Sequence, residues 1–265
     1  MHDLIDIGAN LTHDSFDCDR DEVIARAAEV GVRRMIVTGA SHEGSQQAAA
    51  LAANRPGELY ATAGVHPHHA SEYNEATDSL LRELSRLEQV VAVGECGLDY
   101  FRNFSPVEDQ QTAFAAQLEI ATDIAKPVFL HQRDAHEDFI AMLREYQGGI
   151  SGGVAHCFTA GPEEMHEYLE MGFYIGITGW ICDERRGHLL REAVRELRLD
   201  RVLLETDAPY LTPRDLPEKN FGRRNEPVVL PHVLKTLAAY MKCDEAELAI
   251  AATRNTEQLF GLSLA

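Results

Sequence analysis

Eight short apolar segments recur along the chain, and the stretches between them carry helical periodicity. The segments are LIDIG (4–8), RMIVTG (34–39), YATAGV (60–65), VVAVGE (90–95), PVFLH (127–131), GGVAHCF (152–158), FYIGIT (173–178) and RVLLET (201–206). Near-continuous hydrophobicity of this kind marks parallel strands buried on both faces. Between them, Val23, Ala27 and Val30 share one helical face. So do Leu80, Leu81, Leu84 and Leu87, and likewise Phe114, Leu118 and Ala121. Eight such alternations in 265 residues predict an α/β chain, one domain over 1–265, folded as a (β/α)8 TIM barrel. A doubly wound open sheet uses the same alternation but usually places a Gly-rich phosphate loop after its first strand. Here that strand runs into ANLTHDSF, with no G-x-G-x-x-G. The Pro-punctuated stretch 209–231 reads as a long functional loop before the last helix.

Composition narrows the setting. The chain lacks the run of about 18 apolar residues that a membrane span needs. MHDLIDIGAN carries no basic n-region, so no targeting peptide is read there. The five cysteines, at 18, 96, 157, 182 and 243, are odd in number and form no C-x-x-C pair. That argues against a disulfide framework or a Cys-type zinc site and fits a reducing cytosol. Against 43 acidic side chains stand 24 basic ones, a formal charge of −19. Such a balance excludes a broad basic footprint for nucleic acid. A locally positive cleft is still open to it, because 20 of the 24 basic residues are Arg, the type suited to bidentate phosphate contacts. A bound divalent cation would add to that cleft's field.

Five titratable residues lie at the C-terminal ends of apolar runs, the catalytic face of a (β/α)8 barrel. They are His66 in GVHPHH, Glu95 in GECGLDY, His131 in LHQRDAHED, His156 in AHCF and Asp207 in LLETDAPYL. Each alone has a structural explanation, such as a hydrogen-bonded core histidine or a turn-forming aspartate. Together they are costly to bury without a cation, and imidazoles with carboxylates on converging strands are what a divalent metal needs.

The strings GVHPHH, VGECGLDY, PVFLHQRDAHED, AHCFTA and LLETDAPYLTPRD, in this order, resemble the TatD family of metal-dependent deoxyribonucleases. IDIGANLTHDSF, RNFSP, GITGWICDERRG and RRNEP extend the resemblance over nearly the whole chain. It implies a (β/α)8 barrel and metal-dependent phosphodiester hydrolysis, 3′-to-5′ exonuclease action on single-stranded DNA or RNA, with a role in DNA repair or degradation. It also implies that Glu95, His131, His156 and Asp207 are metal ligands and that His66 stands near the reacting phosphate. Many family members carry His-x-His after the first strand; this chain has Gly8 and Asn10 there, leaving Asn10 as a neutral oxygen donor. Oxygen donors suit Mg2+ best, and two histidines also admit Mn2+ or Zn2+.

Roles follow as expectations. Asp207 orients or deprotonates the nucleophile, with Glu205 either acting directly or orienting a ligand. His66 donates to the phosphate or protonates the leaving oxygen; His68 is a weaker partner and His69 faces solvent. Arg133 contacts phosphate or pairs with Asp134 or Asp99. Arg185, Arg186, Arg223 and Arg224 form a positive lip to the cleft. Tyr100, Phe101 and Trp180 either stack on splayed bases or pack beneath their loops. Cys96 and Cys157 point to the helix layer and carry no chemistry. The substrate is single-stranded DNA or RNA, the protein a cytoplasmic monomer. The competing enzyme class is a metal-dependent amidohydrolase of a small amide or ester, since one fold serves many reactions. A carbamylated-lysine bridge would favour it, but Lys126 sits at the start of the fifth strand, the wrong end.

Overall fold

The computed structural model describes residues 1–216 and 224–262. Its strands are β1 (Leu4–Ala9), β2 (Val32–Val37), β3 (Leu59–Ala63), β4 (Val90–Asp99), β5 (Val128–Arg133), β6 (Gly153–Ala155), β7 (Tyr174–Ile177) and β8 (Val202–Leu204). They form one sheet in chain order. The β3–β4, β4–β5, β5–β6 and β7–β8 pairs are parallel, and a further parallel bridge joins Ala9 to Ala208. This is the strand order of a (β/α)8 barrel, the fold that the alternation of apolar runs predicts. Strands β1, β4, β7 and β8 are buried along their full length, as a parallel sheet covered on both faces requires.

The helices are α1 (Arg20–Glu29), α2 (His42–Ala53), α3 (Glu75–Leu84), α4 (Val107–Ile124), α5 (His136–Tyr146), α6 (Pro162–Glu170), α7 (His188–Ala193), α8 (Leu230–Met241) and α9 (Glu245–Phe260). Side-chain oxygens start several of them. Ser41 caps α2, Asn74 caps α3 and Asp244 caps α9, each accepting from first-turn N–H groups that have no partner inside the helix. The stretch after the long loop holds two helices, α8 and α9, where the sequence suggests one. Lys242, in the left-handed region at φ +57°, ends the first of them. Among the described residues, no helix is long and apolar enough to cross a membrane.

The chain groups into two compact units. The β3–β6 unit comprises Val37–His156 with Met171–Phe173. Its core includes Phe114 stacked on Phe139, with Leu118, Phe129 and Leu143 buried. The β1–β8 unit comprises Met1–Ile36, Cys157–Glu170 and Tyr174–Ala265. Its core includes Ile7, Phe16, Ile24, Leu204, Val233 and Leu237, and its buried Arg34 pairs with Asp3 and Glu257.

Strand β4 departs from the sequence reading. Its apolar run was expected to end at Glu95, yet the strand continues to Asp99, pairing Gly97 with His131 and Asp99 with Arg133. Gly94 and Gly97 look like strand breakers, but here their backbone sits where other residues are strained, at φ +138° and +146°. A Cβ would stand 2.2 Å from the Phe129 carbonyl oxygen at the first and 1.8 Å from that of His131 at the second. The two glycines therefore let β4 press against β5 through a register shift, and the strand carries two carboxylates, Glu95 and Asp99, instead of one.

Candidate metal centre

In the β3–β6 unit, four expected residues meet around one carboxylate oxygen. Glu95 Oε1 lies 3.1 Å from His131 Nδ1, 3.5 Å from His66 Nε2 and 3.6 Å from His156 Nε2. The local chain explains each position. Glu95 is fixed in β4 by its N–H, which donates to the Gly39 carbonyl at 2.7 Å. His131 lies on the paired strand β5, and His156 follows β6 with its N–H bonded to the Leu130 carbonyl. His66 is three residues past β3, where it caps a 3-10 turn and its Nδ1 accepts the N–H of His68. Its proton therefore belongs on Nε2, facing Glu95. The ring of His156 packs 4.6 Å from Phe129.

Asp99 belongs to this group and the sequence reading missed it as a site residue. Its Oδ2 lies 3.0 Å from His68 Nε2 and 3.2 Å from His131 Nε2. Two carboxylates thus hold His131, one at each ring nitrogen. The available signal was strand alternation, because Glu95, Gly97 and Asp99 are spaced by two within GECGLDY. It was lost by ending the apolar run at Glu95.

The electrostatics follow from these contacts. Burial opposes the charge on Glu95, but the imidazoles of His66, His156 and His131 overcome it and hold the carboxyl well below its usual range. Burial also opposes the Asp99 charge and is likewise outweighed, by hydrogen bonds from His131 and His68. For His131, burial disfavours the charged ring, while Asp99 and Glu95 raise its pKa above the ordinary value. His66 goes the other way: burial, and then the nearby His131, push it well below. It stays neutral near pH 7, a hydrogen-bond donor rather than a stored acid.

Three imidazole nitrogens around one buried carboxylate oxygen exceed what hydrogen bonding requires. Among the described residues, His66, Glu95 and His131 present atoms close enough together to hold a metal ion. The donor set, imidazole nitrogens with a buried carboxylate oxygen, suits a divalent cation.

The β1–β8 unit holds the other expected residues. Asp207 follows β8 by three residues, and its N–H bonds the Gly8 carbonyl at 2.8 Å. Its Oδ1 accepts the side-chain amide of Asn10 at 2.9 Å. Asn10 thus acts here as a donor that orients Asp207, where an oxygen donor was expected. Glu205 is fully buried, and its Oε1 accepts the Cys157 N–H at 2.5 Å. Asp6 is also fully buried and takes three hydrogen bonds, from the N–H of Gly8, the N–H of Thr206 and the Thr206 hydroxyl. Burial nonetheless pushes its carboxyl up to about 7.

The candidate substrate contacts divide. The guanidinium of Arg133 lies 3.8 Å over the ring of Phe101, which is half exposed. Phe104 is more exposed still and packs edge-on against His68, a surface aromatic the sequence reading did not single out. Tyr100 instead binds Asp138 and Gln111 through its hydroxyl. Trp180 lies under Arg186, its indole N–H buried without a hydrogen-bond partner among the described residues. Arg186 grips Asp183 at 2.8 Å, whereas Arg185 is exposed and stands 3.8 Å from Asp183 and 4.0 Å from Glu184.

Arg224 differs from the expected lip. It binds Asp19 at 2.7 Å and Glu226 at 2.7 Å, donates to the Ser15 carbonyl, and covers the ring of Phe16. Asp19 falls to about 2, chiefly through that bond. Arg224 is an internal clamp of its unit, its charge taken up by buried and half-buried carboxylates. Arg223 lies outside the described residues. His69 is exposed, as expected, beside Glu72. Cys96 is fully buried, and the Cys157 thiol lies 3.7 Å from the Thr178 hydroxyl. Lys126 reaches back to the carbonyls of Leu87, before β4, and Val90, its first residue, as its place at the start of β5 implied.

A parallel (β/α)8 chain that gathers imidazoles around a buried carboxylate belongs to the metal-dependent barrel hydrolases. The family described as TatD related DNase matches residues 5–261, and the chain is a member of that family. It is 50% identical over 261 residues to the 3′-5′ ssDNA/RNA exonuclease TatD of Citrobacter rodentium, covering 98% of this chain and 99% of that one. It is 49% identical to the protein of the same name from Escherichia fergusonii, covering 98% and 100%. Among solved structures it is similar to YJJV, a TatD homologue of Escherichia coli K12, with 29% identity, a TM-score of 0.90 and 98% of each chain covered.

Proposed function

We propose that this protein is a divalent-metal-dependent exonuclease that shortens single-stranded DNA and RNA from the 3′ end. Half of its residues are shared with relatives bearing that name, over essentially full length. The observation that carries the reading in the chain itself is the convergence of His66, His131 and His156 on Glu95 Oε1.

Glu95 and His131 would hold the cation, joined by His156 and Asp207 on the strength of the sequence resemblance, and when bound it supplies Lewis-acid activation and offsets charge on the phosphate. Mg2+ suits the carboxylates, and the imidazoles bring Mn2+ and Zn2+ within range.

The remaining residues have separable tasks. Asp99 holds the second nitrogen of His131 and the ring of His68, fixing the orientation of both. Neutral His66 donates from Nε2 to a phosphate oxygen. Asp207, aimed by Asn10, accepts the proton of the attacking water. Glu205, tied to the Cys157 N–H, is a positioning carboxylate. Arg133 contacts phosphate while the exposed face of Phe101 offers a stacking surface for an unpaired base. Arg185, loosely held, supplies a second phosphate contact. Five free cysteines fit action in the cytosol, where removal of 3′ ends serves DNA repair or degradation. We take the working form to be a monomer.

The test is product analysis on 5′-labelled single strands with Mg2+, Mn2+, Zn2+ or EDTA. Stepwise shortening from the 3′ end, absent with EDTA and weak on blunt duplex, is expected. Internal cuts, or equal activity with EDTA, would overturn the reading.

A further inference from the structure

The β1–β8 unit gathers a second set of side chains of metal-ligating type that shares no residue with the Glu95 group. Cys182 ends the 3-10 turn Gly179–Cys182 that follows β7, and its side chain is fully buried. Asp215 lies on the segment after β8, and His232 lies in the first turn of α8. The thiol sulfur, a carboxylate oxygen and an imidazole nitrogen of these three all lie within 4.8 Å of one another. His232 Nε2 already meets Asp215 Oδ1 at 2.7 Å.

Tetrahedral zinc places sulfur about 2.3 Å away and nitrogen or oxygen about 2.0–2.2 Å away, so its ligand atoms stand about 3.3–3.6 Å apart. The triad needs only small adjustments to reach that. The histidine–aspartate pair must open from 2.7 Å by about 0.6–0.9 Å, and the sulfur must close on the two from within its present limit.

The surroundings hold the three in place. Arg214, next to Asp215, lies 3.5 Å from Glu184 and 3.9 Å from Asp183, which tethers the segment to the turn that carries Cys182. Thr236, four residues after His232 and so on the same face of α8, lies beside the thiol and favours its charged form. A partner of this kind orients a ligand from outside the coordination shell.

We propose that Cys182, Asp215 and His232 form a zinc site with one position left for water. A thiolate, an imidazole and a carboxylate select zinc over magnesium, because soft sulfur donors bind hard cations poorly. On binding, the sulfur–metal bond replaces the S–H bond and the proton leaves to solvent. Zinc there pins the segment after β8 to the turn after β7 and to the start of α8. No spacing rule reveals the site in the sequence, because its members stand 33 and 17 residues apart and form no C-x-x-C.

The full-length protein, stripped with EDTA and loaded with Co2+, provides the test, because only a cysteine ligand gives a thiolate-to-cobalt charge-transfer band. The band is expected in wild type and in Cys157→Ser, and absent from Cys182→Ser and His232→Gln. Elemental analysis after zinc loading should show one equivalent fewer in both of the latter. His232 is partly exposed, so its variant keeps the test valid even if Cys182→Ser folds poorly. A wild type without the band, or a band that survives either Cys182→Ser or His232→Gln, overturns the proposal.

Discussion

The Asp99 carboxylate lies 3.2 Å from Nε2 of His131, the ring nitrogen opposite the one that meets Glu95. Such a partner fixes which way an imidazole points and raises its basicity, and losing it costs about 10–100-fold in metal affinity or activity. Asp99→Asn should lower kcat within that range and weaken Mn2+ binding alongside it, with KM for a single strand little changed. Unaltered kcat and Mn2+ affinity would remove Asp99 from the site.

Asp6 predicts a pH dependence of stability. Its folded pKa of about 7 lies above the ordinary 3.8, because burial costs more than its three hydrogen bonds return. Between those values the folded chain binds more protons than the unfolded one, so this group's contribution to stability falls as pH rises from 3.8 to about 7. The total loss is at most about 4 kcal/mol, at 1.36 kcal/mol per unit. Asp6→Asn keeps an oxygen for the two N–H groups and an amide to donate to the Thr206 hydroxyl. Denaturant melts of that variant should be flatter across the window and more stable than wild type above pH 7. A variant as pH-dependent as wild type there would contradict the assignment.

Arg133 and Phe101 should act on substrate binding rather than on turnover. Stacking on an aromatic is worth about 1–3 kcal/mol per base, so Phe101→Ala is expected to raise KM for a single strand about tenfold. Arg133→Ala should weaken binding uniformly across sequences and reduce the salt slope by about one. If both variants keep wild-type KM and salt dependence, the strand runs elsewhere.

Arg224 supplies the contrast. Replaced by Ala, it frees Asp19 and Glu226 from their common partner, which should cost about 1 kcal/mol in chemical denaturation and leave KM for the strand within twofold. A large rise in KM without loss of stability would restore it to the substrate path.

The strand pattern was legible because buried parallel strands write themselves as apolar runs. His66, His131 and His156 were legible because each interrupts or ends such a run with a group that is costly to bury. What stayed hidden depended on backbone geometry or on contacts distant in sequence. Asp99 was masked by glycines that permit close strand pairing yet resemble a break. The fate of Arg224 depended on Asp19, some 200 residues away in the chain, which no local pattern announces. Asn10 showed its residue type but not its direction, and it donates to Asp207 where an acceptor was expected. Cys182 looked inert in the absence of C-x-x-C, since its prospective co-ligands lie on two later segments.

Equilibrium binding of Mn2+ to Glu95→Gln, paired with 3′-end shortening assays, addresses the central claim most directly, because Mn2+ favours oxygen and nitrogen over the Cys182 thiol. Wild type should take up Mn2+ and degrade single strands, while the folded variant loses both. A Glu95→Gln protein that binds Mn2+ as tightly as wild type, or degrades strands at the wild-type rate, would contradict the account.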